Sequence, residues 1–134
     1  MPIDAPQQFI FRGMKAAPDG HPQPGRSRRE LGVRLDGPSQ DLPVTPTGIV
    51  QPRTGGMSIA LDAARNLPKS RLPRSLGGDG RDPVFTLASG KLPVNLSLRE
   101  DHYPHALIEP TSPCLLADYE AALHSTRTNW SKAS

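Results

Sequence analysis

The sequence predicts an α+β domain: a small, twisted, mainly antiparallel sheet with one helix against it at the C-terminal end. Three observations predict it. Short apolar stretches recur between turns rich in glycine and proline, among them Phe9–Phe11, Val84–Leu87 and Ala106–Ile108. Helical spacing is sustained in one place only, where Leu115, Leu116, Tyr119, Ala122, Leu123 and Thr126 share a face. A chain of 134 residues, 35% hydrophobic and 4% aromatic, supplies one compact core light in rings, so residues 1–134 read as a single domain.

The elements follow in order. Gln8 to Met14 is a first strand with Phe9 and Phe11 on one face, and residues 15–26 are loop. Ser27-Arg28-Arg29-Glu30 has the capping-box spacing, a hydroxyl three residues before a glutamate, and predicts a short helix stopped at Gly32. Residues 36–56 hold four prolines and four glycines, so they form an irregular connection with at most a short strand at Gly48–Gln51. Met57–Leu61 reads as a strand, or else Ser58 caps a helix over Ile59–Ala64. Residues 65–83, with Arg65, Lys69, Arg71, Arg74 and Arg81, read as a mobile basic loop. Val84–Leu87, Leu92–Leu98 and Ala106–Ile108 complete the sheet. Ser112 caps the last helix with Pro113 in its first position, and Trp130 closes its apolar face.

Composition narrows the function. A net charge of +3 favours an anionic ligand or an acidic partner, and is too modest to require nucleic acid. Poverty in aromatic rings argues against a platform that stacks single-stranded bases. The lone Cys114, set among Pro113, Leu115 and Leu116, excludes an internal disulfide and reads as a small buried hydrophobe. No apolar run approaches the roughly 18 residues of a membrane span. Met1–Ala5 carries no signal-peptide pattern, so a cytoplasmic protein is expected, exported if at all by a dedicated machine.

Three short signals carry the chemistry. Arg12 sits in the first strand between Phe11 and Gly13, suited to hold a phosphate from a rigid element. Gly55 and Gly56 let backbone approach a ligand, and Ser58 offers a hydroxyl beside them. His105 and Glu109 bracket an apolar strand, at positions suited to a catalytic base or acid. A cation, a hydroxyl and a carboxylate or histidine on three strands can meet only in a cleft. Splitting the nicotinamide–ribose bond of NAD needs that set, because positive charge develops on the ribose beside a pyrophosphate. No metal is expected, since His102 with Asp101 and Tyr103 lacks further ligands at a suitable spacing.

Beyond these readings, Phe11-Arg12-Gly13-Met14, Thr54-Gly55-Gly56-Met57-Ser58-Ile59, Leu72-Pro73 with Gly77-Gly78 and Gly80 through Phe85, His105 with Ile108-Glu109-Pro110, and Tyr119 through Trp130 form a wider pattern. Over about residues 9–130 this pattern resembles the cytotoxins grouped with the second exported effector of the type VI secretion system. The resemblance implies an ADP-ribosyltransferase-like fold, NAD as substrate, a macromolecular target in the intoxicated cell, and a cognate immunity protein that silences the toxin. It implies that Arg12, Gly55, Gly56 and Ser58 bind NAD, and that Glu109, His105 and Ser58 carry catalysis. Transfer to a protein and NAD hydrolysis both stay open. The basic cluster of residues 65–81 would then steer NAD or dock an acidic partner.

Two other classes compete. A ribonuclease-like or ribosome-directed toxin would use His102, His105 or His124 as acid and base with Glu109 as partner, and arginines for phosphates. A non-enzymatic module would use the glycine loop and basic patch for protein contact alone.

Overall fold

The computed structural model describes residues 8–133; Met1–Ala5, read above for a leader, lie outside them. In chain order the elements are β1 (Phe9–Gly13), β2 (Ile49–Val50), β3 (Met57–Leu61), β4 (Val84–Ala88), β5 (Leu96–His102), β6 (His105–Pro110), β7 (Cys114–Leu115), α1 (Leu116–Ser125) and β8 (Ser131–Lys132). Six strands form one antiparallel sheet in the order β5-β6-β3-β1-β4-β8, while β2 and β7 form a separate two-stranded ladder. The fold is therefore α+β, with one C-terminal α-helix. No helix among the described residues is long and apolar enough to cross a membrane.

Period-two alternation puts one face of the sheet into the core. Ile10, Met57, Ile59, Leu61, Phe85, Leu87, Ala106 and Ile108 are all buried there, and α1 adds Tyr119, Ala122 and Leu123. The Tyr119 hydroxyl donates to the Ile108 carbonyl at 2.6 Å and accepts from the Met57 N–H at 3.3 Å, locking helix to sheet. Burial pushes the Tyr119 hydroxyl well above its ordinary pKa, so it remains a donor at every physiological pH. Trp130 does close the face, 1% exposed, its indole N–H donating to Thr126 Oγ1 at 2.9 Å.

Several boundaries differ from expectation, each for a visible reason. The helix begins at Leu116, not behind Ser112 and Pro113, because Cys114 and Leu115 pair with Val50 and Ile49 and hold the chain extended. The Leu92–Leu98 strand shifts to Leu96–His102, since Ser89–Lys91 forms a 3-10 turn and the polar Glu100-Asp101-His102 run still pairs with β6. Residues 65–83 contain three 3-10 turns and are tied down rather than loose: Leu72 is buried and Arg71 donates to the Gly13 carbonyl.

The expected helix at Ser27–Glu30 does not form. Ser27 makes a single turn, accepting from the Glu30 N–H, after which Leu31 and Val33 enter the core. Gly32 passes so close to Gly25 that a Cβ would fall on the Gly25 carbonyl. The carbonyls of Ser27, Glu30 and Gly32, which a helix would engage internally, are instead claimed by Arg12. Tertiary hydrogen bonding overrides the capping signal.

Candidate functional site

The sheet opens at its centre. β1 pairs with β4 along all five residues, from Phe9↔Ala88 to Gly13↔Val84. It pairs with β3 only at Ile10↔Leu61 and Phe11↔Ala60, whereas β3 stays paired to β6 from Met57 to Ala60. Beyond Phe11 the two central strands therefore part. A cavity of about 430 Å³ lies at this parting, bordered by Arg12 and Gly13 on one side and by Ser58, Ile59 and Ala60 on the other. Its volume falls in the range of small-molecule sites, about 300–1,000 Å³.

Arg12 spans the gap. It stands two residues from both Ile10 and Met14, which are fully buried, and is itself only 4% exposed. Its Nη1 donates to the Ser58 carbonyl at 2.6 Å. Nη2 and Nε donate to the Glu30 carbonyl at 2.9 and 3.2 Å, with longer contacts from Nη2 to Ser27 and Gly32. Four carbonyls thus surround the guanidinium, and no carboxylate bonds to it among the described residues. Burial lowers its pKa to about 10, opposed by the nearby Asp41 charge, so Arg12 stays cationic at neutral pH. Most of its donors already serve the frame.

Charge around the cavity is lopsided. Arg28, Arg34 and Arg71 border it with Arg12, and Asp41 is the one carboxylate among its described lining residues. The Arg71 guanidinium donates to the Gly13 and Arg28 carbonyls, while the guanidinium groups of Arg28 and Arg34 make no hydrogen bond among the described residues. Burial holds the Asp41 carboxyl above the usual carboxylate range, opposed by the Arg34 N–H at 2.6 Å and by the charges of Arg12 and Arg34. The segment carrying Arg28 is clamped at both ends. Arg29 grips Asp82 through two bonds of 2.8 Å, and Arg26 grips Glu120 at 2.7 and 2.8 Å.

Of the expected site residues, Arg12, Ser58 and His105 border this one cavity. Ser58 lends its carbonyl to Arg12, and its Oγ makes no hydrogen bond among the described residues. His105 is held through Nδ1 by the Asp101 carboxylate at 2.7 and 2.9 Å. Burial raises the Asp101 carboxyl, but its hydrogen bonds with His105 and the His102 N–H outweigh this and hold it below the usual range.

Glu109, Gly55 and Gly56 are not among the residues bordering the cavity. Glu109 is 5% exposed and accepts from Arg99 Nε at 2.9 Å and from the Arg53 N–H at 2.7 Å, which ties β6 to β5 and to the turn before the glycines. A Cβ at Gly55 would fall on the Asp41 carbonyl, and one at Gly56 on the Ile108 carbonyl. The glycine pair serves close approach of backbone to backbone. His124, weighed as an acid or base, lies on α1 and away from the cavity lining, whereas His102 borders it.

Sequence reasoning missed Asp41, Arg28 and Arg34 as cavity residues. Asp41 lies in the irregular 36–56 connection, and Arg28 was absorbed into the expected helix. The one available signal was the crowding of arginines at 26, 28, 29 and 34 in a chain of net charge only +3. The chain matches no protein-family model and no curated protein.

Proposed function

We propose that the chain is an NAD-consuming cytotoxin domain of ADP-ribosyltransferase-like type, with its reaction in the cavity between β1 and β3. One observation carries the reading: Arg12, Ser58 and His105, up to 93 positions apart (105 minus 12), border one cavity where four arginines face a single carboxylate. Such a field favours an anionic ligand. Arg28 and Arg34, whose guanidinium groups are without partners among the described residues, receive the pyrophosphate, since an arginine fork matches its oxygens. Arg12 fixes the cavity wall and adds its charge.

Cleavage breaks the bond between ribose C1 and the nicotinamide nitrogen. The bonding pair leaves with nicotinamide, and water or a target nucleophile forms the new bond to C1 and gives up a proton. Asp41 is the carboxylate available to offset the ribose cation, and Ser58 Oγ and His105 Nε2 are the groups available to orient the ligand and take the proton. Glu109 is a positioning residue, holding β6 and the turn at Arg53. A cognate acidic immunity protein covering the arginine-lined opening accounts for control in the producing cell.

A second reading has its own support. His102 and His105 stack with ring centroids 5.0 Å apart beside the same arginines, an arrangement compatible with RNA phosphodiester cleavage. Incubation with NAD and with total RNA, followed by chromatography, separates the two. Nicotinamide release with intact RNA is expected. RNA cleavage with intact NAD moves the assignment to a nuclease, and loss of neither moves it to the binding module.

A further inference from the structure

We propose that Asp101, His102 and His105, at the closed end of the β5–β6 hairpin, bind a divalent transition metal of the Zn2+ type. One ligand atom from each residue, a carboxylate oxygen and two ring nitrogens, lies within 4.8 Å of the others. Ligand atoms of a tetrahedral zinc stand about 3.4 Å apart at bond lengths near 2.1 Å, so the cluster has to close by roughly 1 Å. His102, its side chain 79% exposed, is free to supply that movement.

A β-bulge builds the cluster. Glu100 pairs with Ala106, but His102 rather than Asp101 pairs with His105, so Asp101 is the extra residue between two ladder pairs. In an unbroken register Asp101 would oppose His105 and His102 would turn to the other face. The bulge brings His102 opposite His105 while Asp101 still reaches the His105 ring. The turn is pinned by Tyr103, whose hydroxyl donates to Asp62 at 2.6 Å.

The donor set selects the ion. Two imidazoles and one carboxylate suit Zn2+, Ni2+, Co2+ or Cu2+, whereas Mg2+ and Ca2+ favour all-oxygen sites. Three protein ligands leave a coordination position for water or another ligand at the cavity rim, which His102 and His105 both border. The site is tested by binding alone, so it stands or falls independently of NAD consumption.

Untagged full-length protein, stripped with a chelator and dialysed, is titrated with Zn2+ against a chromophoric competitor and with Co2+ followed by visible absorption. One equivalent is expected, with ligand-field bands in the Co2+ form. His102→Ala and His105→Ala are each expected to weaken Zn2+ at least about 10-fold, since losing a ligand costs no less than the roughly 10–100-fold typical of losing a ligand's outer partner. Asp101→Asn weakens it less, and His21→Ala leaves it unchanged. Circular dichroism checks the fold, and the exposure of His102 makes His102→Ala the variant that decides. Failure of the wild type to bind one equivalent, or unchanged affinity in His102→Ala, overturns the proposal.

Discussion

Arg12→Ala tests whether the central arginine is first a structural tether. In the wild type two carbonyls, of Ser58 and Glu30, receive short bonds of 2.6 and 2.9 Å from a cation that is only 4% exposed. A hydrogen bond to a charged group contributes about 1.5–3 kcal/mol, so the two together contribute roughly 3–6 kcal/mol. Removing the side chain also relieves the cost of burying a cation, and water from the adjoining cavity reaches some of the freed carbonyls. A net loss of about 3 kcal/mol is expected, a large share of the 5–15 kcal/mol typical of a domain. The assay is urea unfolding followed by circular dichroism. With a slope of about 1–3 kcal/mol/M, the midpoint falls by roughly 1–3 M. Arg12→Lys keeps the charge, but one ammonium cannot serve both Ser58 and Glu30, so its midpoint falls between the two. A midpoint for Arg12→Ala within about 0.3 M of wild type, combined with lost NAD binding, would refute the tether and return Arg12 to direct ligand contact.

Three further outcomes follow. Glu109→Gln weakens the pairing with Arg99 and the Arg53 N–H, and is expected to cost roughly 1–2 kcal/mol in unfolding experiments while NAD turnover persists; lost turnover at unchanged stability would make Glu109 catalytic. Gly56→Ala drives a methyl into the Ile108 carbonyl, a backbone contact that cannot swing aside, and is expected to cost about 1–3 kcal/mol by the same measurement. Acid should destabilise the protein. The hydrogen bond from Arg127 lowers the Asp19 carboxyl to about 2, and the Arg29 hydrogen bond holds Asp82 below its ordinary value. Folded values below unfolded ones mean stabilisation that is complete above about pH 4 and lost as pH falls toward about 2. Urea midpoints measured across that window should drop, and Asp82→Asn should flatten the drop.

Local patterns made most of the sheet legible. Met57–Leu61 and Val84–Ala88 carry inward sets, Met57, Ile59 and Leu61 and then Phe85 and Leu87, that can be read from their side chains. In Phe9–Gly13, by contrast, Ile10 and Arg12 turn inward and Phe9 stays half exposed, against the pattern of the aromatics. The C-terminal helix was legible too, because Leu116, Tyr119, Ala122 and Leu123 share its core-facing side. What resisted reading depends on distant partners. The Ser27 signal fails because Arg12 competes for the carbonyls, and Ser112 fails as a cap because Ile49–Val50 holds the following residues extended. The site divides the same way. Arg12, Ser58 and His105 were visible as polar groups at strand positions. Asp41, Arg28 and Arg34 were not, since irregular segments bring them to the cavity and no spacing encodes their meeting. Likewise, only the bulge at Asp101 reveals that His105 completes a cluster with His102.

The most direct test of the anion-binding cavity is calorimetric titration of NAD into wild type and into Arg28→Ala/Arg34→Ala. Both guanidinium groups border the cavity and neither makes a hydrogen bond among the described residues, so their removal should leave the fold intact. Saturable binding to wild type, weakened at least about 10-fold in the double variant at an unchanged urea midpoint, is the predicted result; each charge-assisted contact is worth roughly 1.5–3 kcal/mol in isolation, with solvent exposure reducing it. Equal affinity in the two proteins, or no binding to wild type, would contradict the account.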